Sequence, residues 1–332
     1  MPKVDIQLDI GENRYEPMKF VEAVQYSEEL GFGTAWLGDH FFPWYHSAGG
    51  SPFVWSTMGV ALDHTSKIKL GPLVTVPTGA RYHPGIIAQA AATLDNMYPG
   101  RFLLGVGTGE ALNERPFWNG RWPVWEERMG RLVEGLELIR RLWESKKPFS
   151  FQGKYYSADF YYMYTKPKTR IPIYFSAIGK KAAYQAGRCA DALVTISPRN
   201  DLERLRDDIL PAYRRGLGEA SGGRKGKKKG RLQVHISFTF LSPSQLRRKE
   251  WRSLGWLRKD SWSIDDPLAV ERAGKEVTDE ELQTGMLFCK DWAELVRVAQ
   301  TYADAGADEI CLSCGAEKPL IKEIRDNVLT VF

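Results

Sequence analysis

Apolar positions along the chain alternate between two periods, and this alternation predicts the order of the secondary-structure elements. At 124–144 the apolar residues recur at spacings of three and four, as in Met129, Leu132 and Leu136, which is the stripe of an amphipathic helix. Short apolar runs bounded by Gly, Pro or polar residues indicate buried strands instead. The runs predict strands at 4–10, 34–38, 68–76, 102–106, 171–176, 191–196, 232–241 and 308–313.

Helical patterns separate most of these strands, at 17–30, 53–65, 84–97, 124–144, 180–189, 201–217 and 292–305. Alternating strands and helices favour a parallel sheet with right-handed crossovers, and eight units favour closure into a (β/α)8 TIM barrel. A doubly wound sheet is the alternative. Against it, the glycine-rich segment with Gly105, Gly107 and Gly109 comes after the fourth strand rather than the first. Its third glycine is not at the position that the dinucleotide-binding pattern G-x-G-x-x-G requires.

Two stretches exceed a minimal barrel. Residues 148–168 are rich in aromatic side chains and predict a small hairpin, and residues 242–286 predict a mainly helical insertion. We found no internal repeat and no interdomain linker, so residues 1–332 are expected to form one barrel domain with these two insertions.

Composition changes this picture little. The 332 residues are 43% apolar and 26% charged, as in ordinary globular proteins, which excludes disordered, collagen-like and disulfide-scaffold classes. One Gly-rich run, with Arg224, Lys225, Lys227, Lys228, Lys229 and Arg231, more than accounts for the net charge of +5. A solvated loop is its ordinary reading. Nucleic-acid binding would need aromatic residues or a fold motif nearby, and none is present, so no nucleic-acid partner is expected.

The uncharged stretch 41–62 is long enough to span a bilayer, but Pro43, Gly49, Gly50 and Pro52 interrupt it. Residues 1–10 contain Asp5 and Asp9 and do not resemble a signal peptide, so we expect a cytoplasmic chain without a membrane partner. Cys311 and Cys314 have CxxC spacing but lie in a predicted strand, where positions three apart point to opposite faces. No second Cys/His pair accompanies them, and no metal site is predicted.

Polar residues directly after predicted barrel strands are the candidates for chemistry, because active sites of such barrels lie at the carboxyl ends of the strands. His40 follows the second strand and has the proton affinity of a general base, or is a structural histidine bonded to Asp39. Glu110 follows Gly107 and Gly109, where a backbone can approach a ligand closely. It suits a general acid, an electrostatic partner of His40, or a helix N-terminal charge.

Several segments resemble a known family. DHFFPW at 39–44, RYHP at 81–84, YPGR at 98–101, GVGTGEALNE at 105–114, LW at 142–143 and SIDDP at 263–267 closely resemble the F420-dependent glucose-6-phosphate dehydrogenases. They also resemble the F420-dependent secondary alcohol dehydrogenases of methanogens, within the luciferase-like superfamily. WESKKP at 143–148 and YTKP at 164–167 look more like the alcohol dehydrogenase branch. The resemblance runs nearly end to end.

The resemblance implies a barrel that binds coenzyme F420, an 8-hydroxy-5-deazaflavin with a lactyl-phosphate and polyglutamate tail. It implies that hydride passes from a C–OH substrate to C5 of F420, with His40 as proton acceptor and Trp44 and Glu110 beside the ring. It further implies a cis peptide at Leu73–Val74, although the family's usual Ser is Leu73 here. The implied cofactor contacts are Asp39, Leu73, Val74, Gly107, Thr108, Asn113, Ser176, Ala177, Ile178, Gly179 and Thr195.

The departures from the family concern the substrate. The sugar-phosphate enzymes hold the phosphate with two Lys and one Arg from three loops, and the matching positions here are Arg199, Ser261 and Gly285. Arg258 and Lys259 precede Ser261 and are close enough in sequence to substitute. An active-site Glu of the family is Asn13 here. One fixed cation holds a phosphate dianion weakly, so a neutral alcohol or sugar, or a differently held sugar phosphate, is the expected substrate.

Three functional hypotheses follow. The first is an F420-reducing dehydrogenase, which by analogy with similar proteins is a homodimer. The second is an FMN-dependent luciferase-like monooxygenase on the same barrel. The third is a non-catalytic barrel that binds partners through the basic run at 224–231. The DHFFPW and GTGEALNE segments favour the first.

Overall fold

A nearly closed barrel of parallel strands forms the centre of the molecule. The computed structural model describes residues 4–11, 15–197, 201–220 and 230–332. The strands are β1 (Asp5–Asp9), β2 (Thr34–Leu37), β3 (Lys69–Pro72), β4 (Leu104–Val106), β5 (Phe149–Gln152), β6 (Ser157–Tyr161), β7 (Ile173–Ser176), β8 (Ala192–Ser197), β9 (Arg231–Ile236), β10 (Phe238–Thr239), β11 (Leu287–Phe288) and β12 (Glu309–Ser313).

Helices cover the outside of the barrel and form the second insertion. They are α1 (Pro17–Glu29), α2 (Val54–Asp63), α3 (Pro84–Met97), α4 (Ala111–Glu114), α5 (Trp125–Glu144), α6 (Lys180–Cys189), α7 (Leu202–Arg204), α8 (Leu210–Ala220), α9 (Pro243–Glu250), α10 (Pro267–Ala273), α11 (Asp279–Gly285), α12 (Trp292–Asp304) and α13 (Lys318–Ile324). A single wide turn, Leu205–Ile209, joins α7 to α8. No helix in the described ranges is both long and apolar enough to span a bilayer.

Eight strands follow one another around the barrel in the order β3-β2-β1-β12-β9-β8-β7-β4. Between β3 and β4 the barrel closes through isolated parallel bridges, Leu70 with Phe102 and Thr75 with Val106. The first strand pairs with the last, in register from Asp5 with Glu309 to Asp9 with Ser313. The predicted TIM barrel is confirmed, and the doubly wound alternative is wrong.

Alternate residues of each strand face the barrel interior. Trp36 Nε1 donates to Gln7 Oε1 at 2.7 Å, and Gln233 Nε2 donates to the same oxygen at 2.6 Å. Their strand neighbours with the other parity, such as Ile6 and Val234, pack against the helices in the main core. Because side chains alternate along a strand, Asp9 and His235 face inward one step further along, at the carboxyl end of the barrel.

Two predicted strands are shorter than expected. The run 232–241 divides after Ile236, because Phe238 and Thr239 pair in parallel with Leu287 and Phe288 of the second insertion instead of with the barrel. The run 68–76 leaves the regular ladder after Pro72, where the chain enters a cis peptide between Leu73 and Val74.

Two segments, within 148–168 and 242–286, lie outside the eight-stranded barrel. Strands β5 and β6 form an antiparallel hairpin within 148–168. Residues 242–286 contain α9, α10 and α11, which enclose a small core of their own, made of Leu246, Leu254, Leu257, Val277 and Leu282. Cys311 packs inside the barrel whereas Cys314 packs in the main core outside it, so the two thiols lie on opposite faces, as predicted.

Candidate active site

The loop after β2 and the start of α4 meet at the carboxyl end of the barrel, and Asn113 joins them. The Oδ1 of Asn113 accepts hydrogen bonds from the backbone N–H of Phe41 at 2.7 Å and of Phe42 at 2.9 Å. Its Nδ2 lies 2.6 Å from Glu110 Oε1 and 2.9 Å from His40 Nδ1. One buried amide therefore positions two of the three predicted catalytic side chains, His40 and Glu110.

These bonds determine the tautomer of His40. The two backbone donors fix the carbonyl end of the Asn113 amide, so its NH2 end must face His40 and can only donate. His40 Nδ1 is therefore the acceptor, and a neutral His40 carries its proton on Nε2. Burial lowers the pKa of His40, although the charge of Glu110 opposes this shift. Since Nε2 of a neutral His40 is a donor, the geometry does not support the predicted role of His40 as proton acceptor.

A buried ion cluster lies beneath this loop. Arg81 Nη1 lies 3.0 Å from Asp39 Oδ1, and Arg81 Nη2 lies 3.0 Å from Glu114 Oε1. Tyr82 donates its hydroxyl to Asp39 Oδ1 at 3.0 Å, and Asp39 Oδ2 has no hydrogen-bond partner among the described residues. One cation thus serves two carboxylates, and burial raises the pKa of Glu114 to about 8. The cluster holds Asp39, the residue before His40, through its side chain and its backbone carbonyl.

The second insertion covers this side of the barrel mouth. The Trp44 ring lies 4.6 Å from the His40 ring and 6.2 Å from the ring of Trp256 in the insertion. Glu271 of α10 accepts a hydrogen bond from the backbone N–H of Ser47 at 2.8 Å. Trp44, which packs against Trp256 of the insertion, therefore forms an aromatic wall beside His40, and Glu271 anchors the turn that follows Trp44.

The opposite wall is formed by β3, β4 and β7. The predicted cis peptide at Leu73–Val74 is confirmed. A Cβ built on Gly107 would lie 2.7 Å from Val74 Cγ2 and 3.9 Å from Ser176 Cβ, so these three positions converge. Thr108 follows, half-buried, and leads to Glu110. A residue larger than glycine at 107 would push Val74 out of this wall.

The segment from Ser176 to Gly179 leads into α6. No side chain caps this helix, and its N-cap is Gly179, so its first backbone N–H groups are available to an anion. Arg204 donates to the carbonyl of Ile178 at 3.2 Å, which brings a guanidinium to the same turn. The side chain of Ala177 is buried in the main core and does not face the mouth.

Thr195 is not brought to this group of residues. It is fully buried and shares its strand face with Leu193, in the main core, and with Ser197, which lies 2.8 Å from Tyr302 of α12. Because side chains alternate along β8, Thr195 faces the helices, and the half-buried Ile196 faces the mouth.

The predicted phosphate-binding positions carry no available cation within the described ranges. Ser261 lies in a short 3-10 turn beside α4, whereas Arg258 pairs with Asp260 at 3.1 Å and Lys259 pairs with Glu280 at 2.9 Å. A Cβ built on Gly285 would overlap the side chain of Leu257, so a longer side chain has no room there. Asn13, Arg199 and positions 224–229 of the basic run lie outside the described residues.

Sequence reasoning missed one cluster at the mouth. His235 Nε2 lies 2.9 Å from Asp9 Oδ2, and Ser313 donates to the same oxygen at 3.1 Å. These residues end three strands that are far apart in sequence. The sequence does carry a signal for it. Near the ends of β1, β9 and β12, polar residues occupy the alternate positions whose side chains face the barrel interior.

A second concavity, of about 1040 Å³, lies outside the barrel between α5, α6 and α8. About half of its lining side chains are charged, and Lys180 and Lys181 at the start of α6 are among them.

Comparison with known proteins places these residues in context. Residues 5–241 match the luciferase-like monooxygenase family. The F420-dependent glucose-6-phosphate dehydrogenase of Nakamurella multipartita is 36% identical over 294 residues, which cover 88% of this chain and 85% of the relative. The enzyme of the same name from Mycolicibacterium gilvum is 35% identical, over 90% of this chain and 88% of the relative. A solved F420-dependent secondary alcohol dehydrogenase, in complex with an F420-acetone adduct, superimposes with a TM-score of 0.87 at 31% identity and 99% coverage of both chains.

Proposed function

The chain belongs to the luciferase-like monooxygenase family, and from its F420-dependent relatives we propose that it is an F420-dependent dehydrogenase that oxidises a CH–OH group. The observation that carries the proposal is the joint placement of His40, Trp44 and Glu110 at the mouth of a barrel whose named relatives are F420-dependent dehydrogenases. F420, when bound, accepts a hydride from the alcohol carbon. The protein then has to bind the alcohol, orient it and handle the hydroxyl proton.

The residues present fit a deazaflavin. Val74, Gly107 and Ser176 form a closely packed wall on one side of the mouth, and Asp39 offers a buried carboxylate oxygen that lacks a protein partner in the described ranges. We propose that Leu73, Thr108 and Asn113 complete the ring site. The uncapped start of α6, with Arg204 nearby, suits the anionic tail, for which Ser176 to Gly179 are the proposed contacts.

For the substrate, we propose an uncharged secondary alcohol or sugar. The carboxylate of Asp9 at the mouth repels an anion, and Arg258 and Lys259 are engaged by carboxylates of the insertion. Arg81, although buried beside the site, is already shared by Asp39 and Glu114. Asn13, Arg199 and Ser261 remain proposed substrate contacts.

The test is the absorbance of oxidised F420 when the purified protein is mixed with it in parallel wells. The wells contain 2-propanol, other secondary alcohols, free glucose, glucose 6-phosphate or other sugar phosphates. We expect loss of absorbance with an uncharged alcohol or sugar. Loss with sugar phosphates alone would contradict the proposed substrate class. Absence of F420 binding, together with oxygen consumption in the presence of reduced FMN, would favour the monooxygenase instead.

A homodimer and a cytoplasmic location stay predictions. Sedimentation velocity of the purified protein tests the first, and fractionation of cells that produce the full chain tests the second.

A further inference from the structure

Two histidines at the barrel mouth differ in what they present to a ligand. In His40, Nδ1 is occupied by the Asn113 amide and Nε2 has no partner among the described residues. In His235, Nε2 is occupied by Asp9 at 2.9 Å and by Ser313 at 3.2 Å, and its Nδ1 has no partner among them. The free nitrogen of a neutral His40 carries a proton, whereas the free nitrogen of a neutral His235 carries a lone pair.

The lone pair on His235 follows from the state of Asp9. Asp9 Oδ1 accepts the backbone N–H of Gly11 at 2.9 Å, and Oδ2 accepts from Ser313 at 3.1 Å. Burial alone would raise the pKa of Asp9, but the hydrogen bonds that it accepts from His235, Gly11 and Ser313 favour its charged form and help to lower the pKa. An ionised Asp9 accepts a hydrogen bond and does not donate one, so His235 must donate from Nε2. Nδ1 is then the basic nitrogen.

Asp9 also prepares His235 to accept a proton. A carboxylate hydrogen-bonded to one imidazole nitrogen stabilises the cation that forms when the other nitrogen is protonated. The His40 imidazole has an amide NH2 in that position. Protonation of His40 would place two N–H groups against each other, because Asn113 cannot turn without losing its bonds to the Phe41 and Phe42 backbone.

The order of strands places the Asp9–His235 pair across the mouth from the wall formed by Val74, Gly107 and Ser176. Val74, Gly107 and Ser176 belong to the neighbouring strand ends of β3, β4 and β7. Asp9, Ser313 and His235 belong to β1, β12 and β9 on the other side, and His40 follows β2 beside them. All of these residues lie at or just after the carboxyl ends of the strands, so His40 and His235 share one mouth.

We propose that His235, held by Asp9, accepts the hydroxyl proton of the alcohol at Nδ1 while His40 donates Nε2–H to the same oxygen. This assignment rests on the proposed function. The substrate O–H bond breaks and an N–H bond forms at His235 Nδ1. The C–H electron pair leaves as hydride to F420, which is reduced, as the C=O bond forms and the alcohol is oxidised. The proton on His235 then passes to solvent, since its side chain is 12% exposed.

The first test compares His235→Gln with His64→Gln, which removes an exposed histidine at the end of α2. We expect His235→Gln to lower turnover with F420 by about 10²- to 10⁴-fold with unchanged F420 affinity, measured by fluorescence quenching. We expect His64→Gln to match the wild type. Wild-type turnover in His235→Gln would overturn the assignment.

A rescue experiment separates proton transfer from a structural role. In His235→Ala, added imidazole should restore turnover in proportion to its concentration, and stronger bases of similar size should restore more. His40→Ala should show no dependence on base strength, because the lost group is a hydrogen-bond donor. The reverse pattern would assign the proton acceptor to His40. Circular dichroism and melting temperature show whether each variant is folded.

A third readout needs neither cofactor nor turnover. Side-chain nitrogen NMR of the ¹⁵N-histidine protein distinguishes the two tautomers, and the substitutions above assign the signals. We expect the Nε2–H form for neutral His40 and for neutral His235. An Nδ1–H form of His235 would overturn the inference even if the enzyme is active. If the wild-type protein failed to reduce F420 with every alcohol and sugar tested, the proposed function would be refuted instead. The NMR measurement would still determine the two tautomers.

Discussion

Arg81 lies within 3.0 Å of two buried carboxylates in the candidate site, Asp39 and Glu114. Its single charge cannot neutralise both. The pKa of Glu114 is raised to about 8, first by its burial, against an ordinary value of 4.5. Glu114 is therefore mostly protonated in the folded protein at neutral pH and ionised in the unfolded chain. This difference makes stability depend on pH.

Glu114→Gln should accordingly stabilise the protein more as pH rises. A group whose folded pKa is raised binds more protons folded than unfolded between the two values, so wild-type stability falls with pH there. The glutamine does not titrate. The difference in unfolding free energy should grow from about pH 4.5 to 8, by at most about 1.4 kcal/mol per pH unit.

Urea unfolding at pH 5, 6.5 and 8 measures this difference. Glu137→Gln on the exposed face of α5 is the matched control for the exchange of a carboxylate for an amide. A stability difference for Glu114→Gln that is constant or decreases with pH would show that Glu114 is ionised beside Arg81.

Asn113→Asp should move the proton of a neutral His40 from Nε2 to Nδ1. The new carboxylate can still accept the backbone N–H of Phe41 and Phe42, but it accepts from His40 Nδ1 where the amide donates. Its negative charge also opposes the burial that lowers the pKa of His40. We expect a higher pKa for His40 and an Nδ1–H tautomer, both measured by histidine NMR.

Asn327→Asp in the last helical turn, where the amide donates to the carbonyl of Glu323, is the control for adding one negative charge to the protein. An unchanged His40 pKa in Asn113→Asp would mean that the amide does not set the state of the imidazole.

The elements themselves were largely predictable, because each depends on local pattern. The alternation of strands and helices identified the barrel, and DHFFPW and GTGEALNE located His40, Glu110 and Asn113. The division of the run 232–241 was not predictable, since it depends on pairing with Leu287 and Phe288 about fifty positions away. The Asp9–His235 pair was not predictable for the same reason, because residues from β1 and β9 meet only when the barrel closes.

The second insertion is fastened to the loop after β2 by Glu271, which accepts from the Ser47 backbone at 2.8 Å and pairs with Arg252 at 3.2 Å. Glu271→Ala removes the hydrogen bond to the turn that follows Trp44, and such a bond contributes about 1 kcal/mol. We expect KM for the alcohol to rise about fivefold with little change in kcat or F420 affinity. Steady-state kinetics measures this.

Glu280→Ala is the matched control, because Glu280 pairs with Lys259 in the same insertion but on exposed surface. Equal effects of the two substitutions would mean that the insertion acts as a whole and that Glu271 does not position the turn.

The first and last strands of the barrel pair with each other, and this pairing affects how the molecule unfolds. Strands β1 and β12 are in parallel register from Asp5 with Glu309 to Asp9 with Ser313. Neither end can leave without opening the barrel and exposing the main core. The insertion has a separate small core, but Trp256 against Trp44 and Arg115 against Asp265 at 2.6 Å hold it to the mouth.

We therefore propose that residues 1–332 behave as one domain and predict a single unfolding transition. Far-ultraviolet circular dichroism follows the barrel and its helices, and hydrogen exchange read by mass spectrometry follows peptides from 242–286 separately. Exchange of the insertion and of β1 and β12 should accelerate at the same urea concentration as the loss of dichroism, because a two-state chain exposes all its parts together. Faster exchange of the insertion well below that concentration would show that it is a separate folding unit attached to the barrel.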